Sequence, residues 1–121
     1  MGTVKNFEDL TIWKESMQMV IQVYDTFKNC KDFDFKNQIQ RAAISIPSNI
    51  AEGFERQSNK EFIQFLFIAK GSCGELRTHL YIAVKLKYID KTEGAELIEC
   101  AKALSSQISK LISYRKNYKP K

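Results

Sequence analysis

The sequence predicts an all-α protein, an antiparallel four-helix bundle whose helices run up-down-up-down. Apolar residues recur every three or four positions along four long stretches, which is the period of a helix with one buried face. Only two prolines and five glycines occur in 121 residues, too few for the many turns of an all-β fold. The connections between the stretches are short, which favours antiparallel neighbours. One domain with a single core is expected at this length.

The first helix has an apolar face that ends near residues 29–31. Its members are Leu10, Trp13, Met17, Val20, Ile21, Tyr24 and Phe27. Asp9 or a neighbour is expected to cap the helix start. A weaker apolar set, formed by Ile12, Met19 and Val23, lies off that face and needs a different cover.

The second helix is predicted over about residues 34–56, with Pro47 in its middle. Proline removes one backbone hydrogen bond and crowds the preceding turn. Two alternatives follow, a single kinked helix or two short helices that break near Ile46. The apolar positions stay in phase across the proline, which favours the kink. They are Phe35, Ile39, Ala42, Ala43, Ile46, Ile50 and Phe54.

The third and fourth helices begin at capping boxes. Ser58 and Glu61 open a helix over about residues 59–87, and Asp90 and Glu93 open another over about residues 91–115. The fourth helix has a plain apolar stripe that comprises Leu97, Ile98, Ala101, Leu104, Ile108, Leu111 and Ile112. The third is apolar almost all the way round between residues 62 and 69, and such a helix must be covered on every side.

This excess of apolar surface predicts that copies of the chain associate. Neighbouring helices within one chain cover only about half of the third helix, and the off-face set on the first helix adds to the surplus. The predicted oligomer interface comprises Ile12, Met19, Val23, Ile63 and Phe67.

The formal net charge of +5 is unevenly distributed. The last eight residues carry Arg115, Lys116, Lys119 and Lys121 and no acid, and subtracting these four charges leaves +1 for residues 1–113. We therefore divide the chain into a bundle at 1–113 and a flexible basic tail at 114–121. The tail is either a solvated end or a contact to nucleic acid phosphates, with Arg56 and Lys60 adding to it.

No group of residues indicates an enzyme, a metal site, a cofactor site or a small-molecule substrate. His79 is the single histidine, and Glu75 one turn before it does not complete a site. Gly71 and Gly74 lie mid-helix, where they allow another helix to approach closely. Three widely spaced cysteines indicate reduced thiols in a cytosol, two or all of them buried, and the longest apolar run is too short to span a membrane. A cytoplasmic protein is expected.

A polar stripe lies beside the apolar one on the second and third helices. Three interpretations stay open: a solvated face with a Glu52–Arg56 pair, a buried hydrogen-bonded network that fixes helix or subunit register, or a groove for a ligand or RNA with Arg41, Arg56 and Lys60 on phosphates. The stripe comprises Arg41, Ser45, Ser48, Asn49, Glu52 and Arg56 on one helix and Gln64, Ser72, Glu75 and His79 on the other. The predicted network members are Arg41, Ser45, Asn49, Glu52, Ser72 and Glu75.

Three segments are distinctive and read QRAAISIPSNIAEG at 40–53, FEDLTIW at 7–13 and GSCGEL at 71–76. Together they resemble the family of four-helix-bundle proteins encoded in intervening sequences of bacterial 23S rRNA genes. The resemblance extends from about Phe7 to Ile112, and Phe54 departs from it where the family often has a glycine.

The resemblance implies a four-helix bundle that assembles as a ring, typically a homopentamer. The chain is also distantly similar to the accessory protein of diversity-generating retroelements, a basic pentameric bundle that binds nucleic acid and a reverse transcriptase. Two hypotheses follow: a scaffold whose product is the ring, or an RNA-binding module in which several basic tails act together. Neither resemblance supplies a catalytic mechanism.

Overall fold

The computed structural model describes residues 4–117, and the chain there is built of helices alone, with no strand. A short 3-10 helix at Phe7–Asp9 precedes α1 at Thr11–Thr26, α2 at Phe33–Glu55, α3 at Asn59–Lys85 and α4 at Lys91–Lys116. The helices pack on one another as a bundle. The predicted all-α class is therefore confirmed, while the kink at Pro47 and the up-down order stay predictions.

Side chains cap three of the four helices. The hydroxyl of Ser58 accepts from the Glu61 amide at 3.1 Å, and the carboxylate of Asp90 accepts from the Glu93 amide at 2.7 Å. Asp32 caps α2 in the same way, from outside the predicted start of that helix. Asp9 does not cap α1, because it lies in the 3-10 helix and Leu10 occupies the cap position without a side-chain bond.

The second helix runs without interruption from Phe33 to Glu55, through the buried Pro47. Of the two alternatives for this region, the single helix is the one present. Its apolar face packs on α3 in the most extensive helix contact of the bundle, and α1 and α4 make the smallest. The two helices approach each other closely at Gly53, because an added Cβ would stand 2.5 Å from the Cβ of Phe65 on α3.

The face of α1 that packs in the core differs from the predicted face. Ile12, Met19 and Val23 are 5%, 3% and 0% exposed, so these three members of the predicted oligomer interface lie in the core of their own chain. The buried line continues through Ser16, whose hydroxyl donates to the carbonyl oxygen of Trp13 at 2.8 Å. Ser16 is a polar residue in an otherwise apolar line, and its hydrogen bond gives the hydroxyl a partner inside the core.

Because α1 is oriented differently from the prediction, part of its predicted core face lies on the surface. Met17, Ile21 and Tyr24 are 37%, 64% and 40% exposed, and we refer to these three residues as the α1 ridge. Phe27 is buried as predicted, and Leu10, Trp13 and Val20 are partly buried against the core. A helix with apolar residues on two sides gives no sequence signal for which side faces inward.

Only one of the three cysteines is fully buried. Cys73, on α3, lies in the core, Cys30 is half-buried and Cys100 is exposed. The prediction that two or all three cysteines are buried is therefore wrong. Burial raises the pKa of the Cys73 thiol to about 11. None of the helices between residues 4 and 117 is long and apolar enough to cross a membrane.

Candidate functional site

The α1 ridge borders an open groove on one side of the bundle. Gln18 and Gln22 lie beside the ridge and also line the hollow between α1 and α4, next to Cys100. This hollow follows the α1–α4 seam, where the bundle is least closely packed. The ridge is therefore an apolar projection next to a depression.

The outward side of α3 also presents apolar residues. Phe67 and Ile68 are exposed near the start of the helix, and Tyr81, Ile82 and Leu86 are exposed near its end. Phe67 is 48% exposed, with the Lys116 ammonium 5.1 Å from the centre of its ring, whereas Ile63 is half-buried against the core. Of the five predicted interface residues, Phe67 is thus the one fully at the surface.

The two mid-helix glycines of α3 do not serve close packing within the chain. A Cβ added at Gly71 or Gly74 would meet no atom within 4 Å. The expectation that they let another helix approach closely is not met within the single chain, and Gly53 is instead a glycine at which two helices come close. Because glycine weakens a helix interior, their position on α3 has no stabilising effect on this fold.

The middle of the predicted polar stripe is a hydrogen-bonded link between α2 and α3. The Asn49 amide donates to the Ser45 hydroxyl at 2.9 Å, and the hydroxyls of Ser45 and Ser72 lie 2.8 Å apart. Ser72 donates to the Ile68 carbonyl at 3.2 Å, so the proton between the two serines comes from Ser45. We call Ser45, Asn49 and Ser72 the polar seam.

The charged members of the stripe lie outside the polar seam. Glu52 pairs with Arg56 at 3.2 Å on the exposed surface, and that arginine also lies 3.8 Å from Glu61. Arg41 and Glu75 are exposed and border a cavity at one end of the seam. The structure thus joins three of the six predicted network residues by hydrogen bonds. Arg41 and Glu75 border the cavity that Ser45 also lines, and Glu52 pairs with Arg56 instead.

Several of the predicted nucleic-acid contacts gather at one end of the bundle. The Arg56 guanidinium lies over the Phe65 ring. Arg115 is held by Asn59, whose side-chain oxygen Oδ1 accepts a hydrogen bond from the Arg115 Nε at 2.6 Å. Lys60, at the start of α3, is exposed. Arg115 and Lys116 belong to the last turn of α4, whereas Lys119 and Lys121 lie outside the described residues.

A link at the opposite end of α3 was missed from the sequence. The Tyr88 hydroxyl donates to the Asp32 carboxylate at 2.6 Å and joins the α3–α4 connection to the start of α2. This bond, and then the Phe35 amide, lowers the pKa of Asp32, and the same bond raises the pKa of Tyr88. The residues are 56 positions apart, and sequence spacing gives no signal for such a pair.

Comparison with known proteins agrees with this architecture. A family model described as 23S rRNA-intervening sequence protein matches residues 8–110. The chain is also similar to the crystal structure of a protein of unknown function from the S23 ribosomal protein family of Bacteroides thetaiotaomicron VPI-5482. The two are 23% identical, with a TM-score of 0.79 over 84% of this chain and 98% of the other. No curated protein matches the chain.

Proposed function

We propose that this chain, which belongs to the 23S rRNA-intervening sequence protein family, is a non-enzymatic bundle that works by assembling with copies of itself into a ring. Five copies is the number that the family resemblance implies, and the ring would act as a scaffold in the cytoplasm. The observation that carries the proposal is the α1 ridge, three large apolar side chains on a helix whose opposite face already fills the core.

The ridge contributes apolar surface that would stabilise an association between copies. A fully buried isoleucine contributes about 1.5–3 kcal/mol, so covering Ile21, which is 64% exposed, adds roughly 1–2 kcal/mol per interface. Met17 and Tyr24 expose smaller fractions and add to this. The total offsets part of the several kcal/mol that association costs in lost translational and rotational freedom.

The outward apolar side of α3 gives the ridge a second surface to meet. Phe67 and Ile68 flank one side of the open positions at Gly71 and Gly74, and Tyr81 and Ile82 flank the other. A ridge on one copy and a different surface on the next make a head-to-tail contact. Such contacts close into rings when the rotation between copies permits.

Substitution of Ile21 by glutamate tests this proposal. A carboxylate on the ridge would lose the apolar gain and would have to be buried at the contact, which is costly without a partner. We expect the assembly to dissociate in sedimentation velocity at micromolar concentration. Ser106→Glu, which adds the same charge to an exposed position on α4, is the control and should keep the wild-type mass.

Helical content by circular dichroism separates assembly from folding in this experiment. Ile21 lies outside the core, so the Ile21→Glu chain should keep its helices. A wild-type chain that sediments as a monomer would refute the proposal. The proposal would also be refuted if both the Ile21→Glu chain and a Phe67→Glu chain kept the wild-type mass.

Binding of structured RNA is a second candidate function, favoured by the basic residues at one end of the bundle. Arg56 and Arg115 already have partners there, so the charge for phosphates would come mainly from Lys60, Lys116 and the residues after 117. Each phosphate contact lowers the slope of log affinity against log salt by about 0.7–0.9. On a ring, weak contacts from several copies would add.

Filter binding across a salt series tests this candidate. The variants are Lys60→Gln and a chain that ends at residue 117, which keeps all of α4. Each should weaken binding and flatten the salt slope. Lys102→Gln on α4 removes a lysine from a surface ion pair and is the control. Affinity that does not depend on salt, or that neither test variant changes, would exclude RNA binding by this end.

A further inference from the structure

An open polar depression, which we call the cavity, lies between α2 and α3 at one end of the polar seam. Its volume is about 320 Å³, roughly ten times the volume that one water occupies in the liquid. The walls are polar on both helices. They are formed by Gln38, Arg41 and Ser45 from α2 and by Glu75 and His79 from α3.

The polar groups of this cavity are largely unused by the fold. Arg41 and Glu75 form no ion pair with any residue between 4 and 117, although they carry opposite charge and line the same space. Nδ1 of His79 is buried and has no hydrogen-bond partner in this part of the chain. Because this nitrogen is inaccessible from the surface, a ligand in the cavity would meet other atoms of His79, which lines the cavity.

Ser45 differs from the other residues because its hydrogen is already committed. It donates to Ser72 and accepts from Asn49, so toward the cavity it can only accept a further bond. The polar seam therefore forms a fixed boundary of the cavity. The groups that remain available are a guanidinium, a primary amide, an imidazole and a carboxylate.

We propose that this cavity binds a small ligand that carries both a carboxylate and an ammonium group, as a free α-amino acid does. The Arg41 guanidinium can hold a carboxylate through two parallel N–H bonds. Glu75, on the facing helix, supplies the negative charge for the ammonium group. A ligand with one charge would use only one of these two exposed side chains, so a ligand with both charges gains two contacts and is preferred over simple anions and simple amines.

This inference goes beyond the proposed assembly and does not depend on it. The cavity is complete within one chain, so a monomer would bind as well as a ring. Measurement of the oligomeric state and measurement of ligand binding therefore fail or succeed separately.

Calorimetric titration of the full chain with the common L-amino acids is the first test. For each amino acid that binds, the probes include its N-acetyl derivative, which lacks the ammonium group, and its amide, which lacks the carboxylate. Each derivative should bind at least about tenfold more weakly, since each loses a charge-assisted contact. Absence of binding by every amino acid at millimolar concentration would overturn the proposal.

Variants assign the binding to the cavity. Arg41→Gln and Glu75→Gln should each weaken it at least about tenfold, and both side chains are exposed, so the fold should persist. Glu99→Gln, on the far helix α4, removes a carboxylate from a surface pair and is the matched control. If Arg41→Gln and Glu75→Gln bind the ligand as tightly as the Glu99→Gln control, the assignment to the cavity is overturned.

The single histidine supplies a direct reporter. Because His79 is the only one in the chain, its imidazole nitrogens give one set of ¹⁵N resonances. Ligand binding should move those resonances, and the shift should disappear in Arg41→Gln. Binding that leaves them unchanged would place the ligand elsewhere on the molecule.

Discussion

Replacement of Gly53 by alanine should destabilise the bundle because α2 and α3 meet at this residue. The new Cβ would lie 2.5 Å from the Cβ of Phe65 and 3.2 Å from a ring carbon of Phe62. Carbon atoms in contact need about 3.5–4.0 Å, so one helix must move by roughly 1 Å. The Phe65 Cβ is fixed to the α3 backbone, and no rotation of that side chain removes the clash.

Two opposing effects set the size of the change. Overpacking of this kind costs about 1–3 kcal/mol, and alanine in place of glycine within a helix contributes about 0.5–1 kcal/mol of stability. The net effect for Gly53→Ala is then a loss of between about 0 and 2.5 kcal/mol, with a middle value of roughly 1 kcal/mol. Gly71→Ala meets no atom within 4 Å, so only the favourable effect applies and the variant should gain about 0.5–1 kcal/mol. The difference between the two variants reports the clash.

Urea unfolding followed by circular dichroism at 222 nm measures both changes, with the slope m checked for each variant. Several protein concentrations are required, because the proposed association between copies would add to apparent stability. A Gly53→Ala chain as stable as Gly71→Ala would refute the close approach of α2 and α3. A loss of stability in Gly71→Ala that depends on concentration would instead indicate that a neighbouring copy packs on this glycine.

Three further predictions concern single contacts. The Asp32–Tyr88 bond stabilises the fold above the unfolded carboxyl pKa of about 4 and below the unfolded phenol pKa of about 10. Its contribution should be lost as pH falls through the lowered pKa of Asp32 or rises through the raised pKa of Tyr88, so Tyr88→Phe should flatten both limbs of a pH–stability profile, and an unchanged profile would contradict the bond. Cys100 should react with a thiol reagent in the folded state and Cys73 only after unfolding, because the latter is buried with a pKa of about 11, and equal rates by mass spectrometry would contradict its burial. Asn59→Ala should cost about 1–2 kcal/mol in urea unfolding through loss of two hydrogen bonds to the end of α4, and a neutral effect would mean that the bonds do not form in solution.

The helices and most of their ends follow from local signals in the sequence. The caps at Ser58 and Asp90 act between residues three apart, so the sequence alone predicts where α3 and α4 begin. The core stripe of α4, which includes Leu104 and Ile108, has apolar residues on one side only and was predicted correctly. The 23S rRNA-intervening sequence family was also identified from its motifs and is confirmed.

The orientation of α1 could not be predicted, because two stripes compete on one helix. One stripe is longer in the sequence, but the other is the one that fits the space left by α2 and α4. Ser16 lies in the middle of the buried line and lowers its apparent hydrophobicity, although its hydroxyl bonds within the helix. Only packing against the other helices decides between the two, and that information lies outside any local window.

The candidate sites depend on contacts between distant positions, which explains why they were predicted in part. The helical spacing of Ser45 and Asn49 correctly placed both on one face, but nothing in the spacing shows that Ser72 lies opposite them. Arg56 was predicted as a phosphate contact from its charge. The structure surrounds it with Glu52 and Glu61, which the sequence places near it without showing that both reach it.

The separation of the α1 ridge from the core affects how such a protein can diverge. Ile21 is 64% exposed and lies outside the core, so a change there should disturb folding little. In the proposed assembly, copy number and choice of neighbour could then change through a few outward side chains while the core of the bundle stays the same. Related chains with the same architecture need not share the same quaternary state.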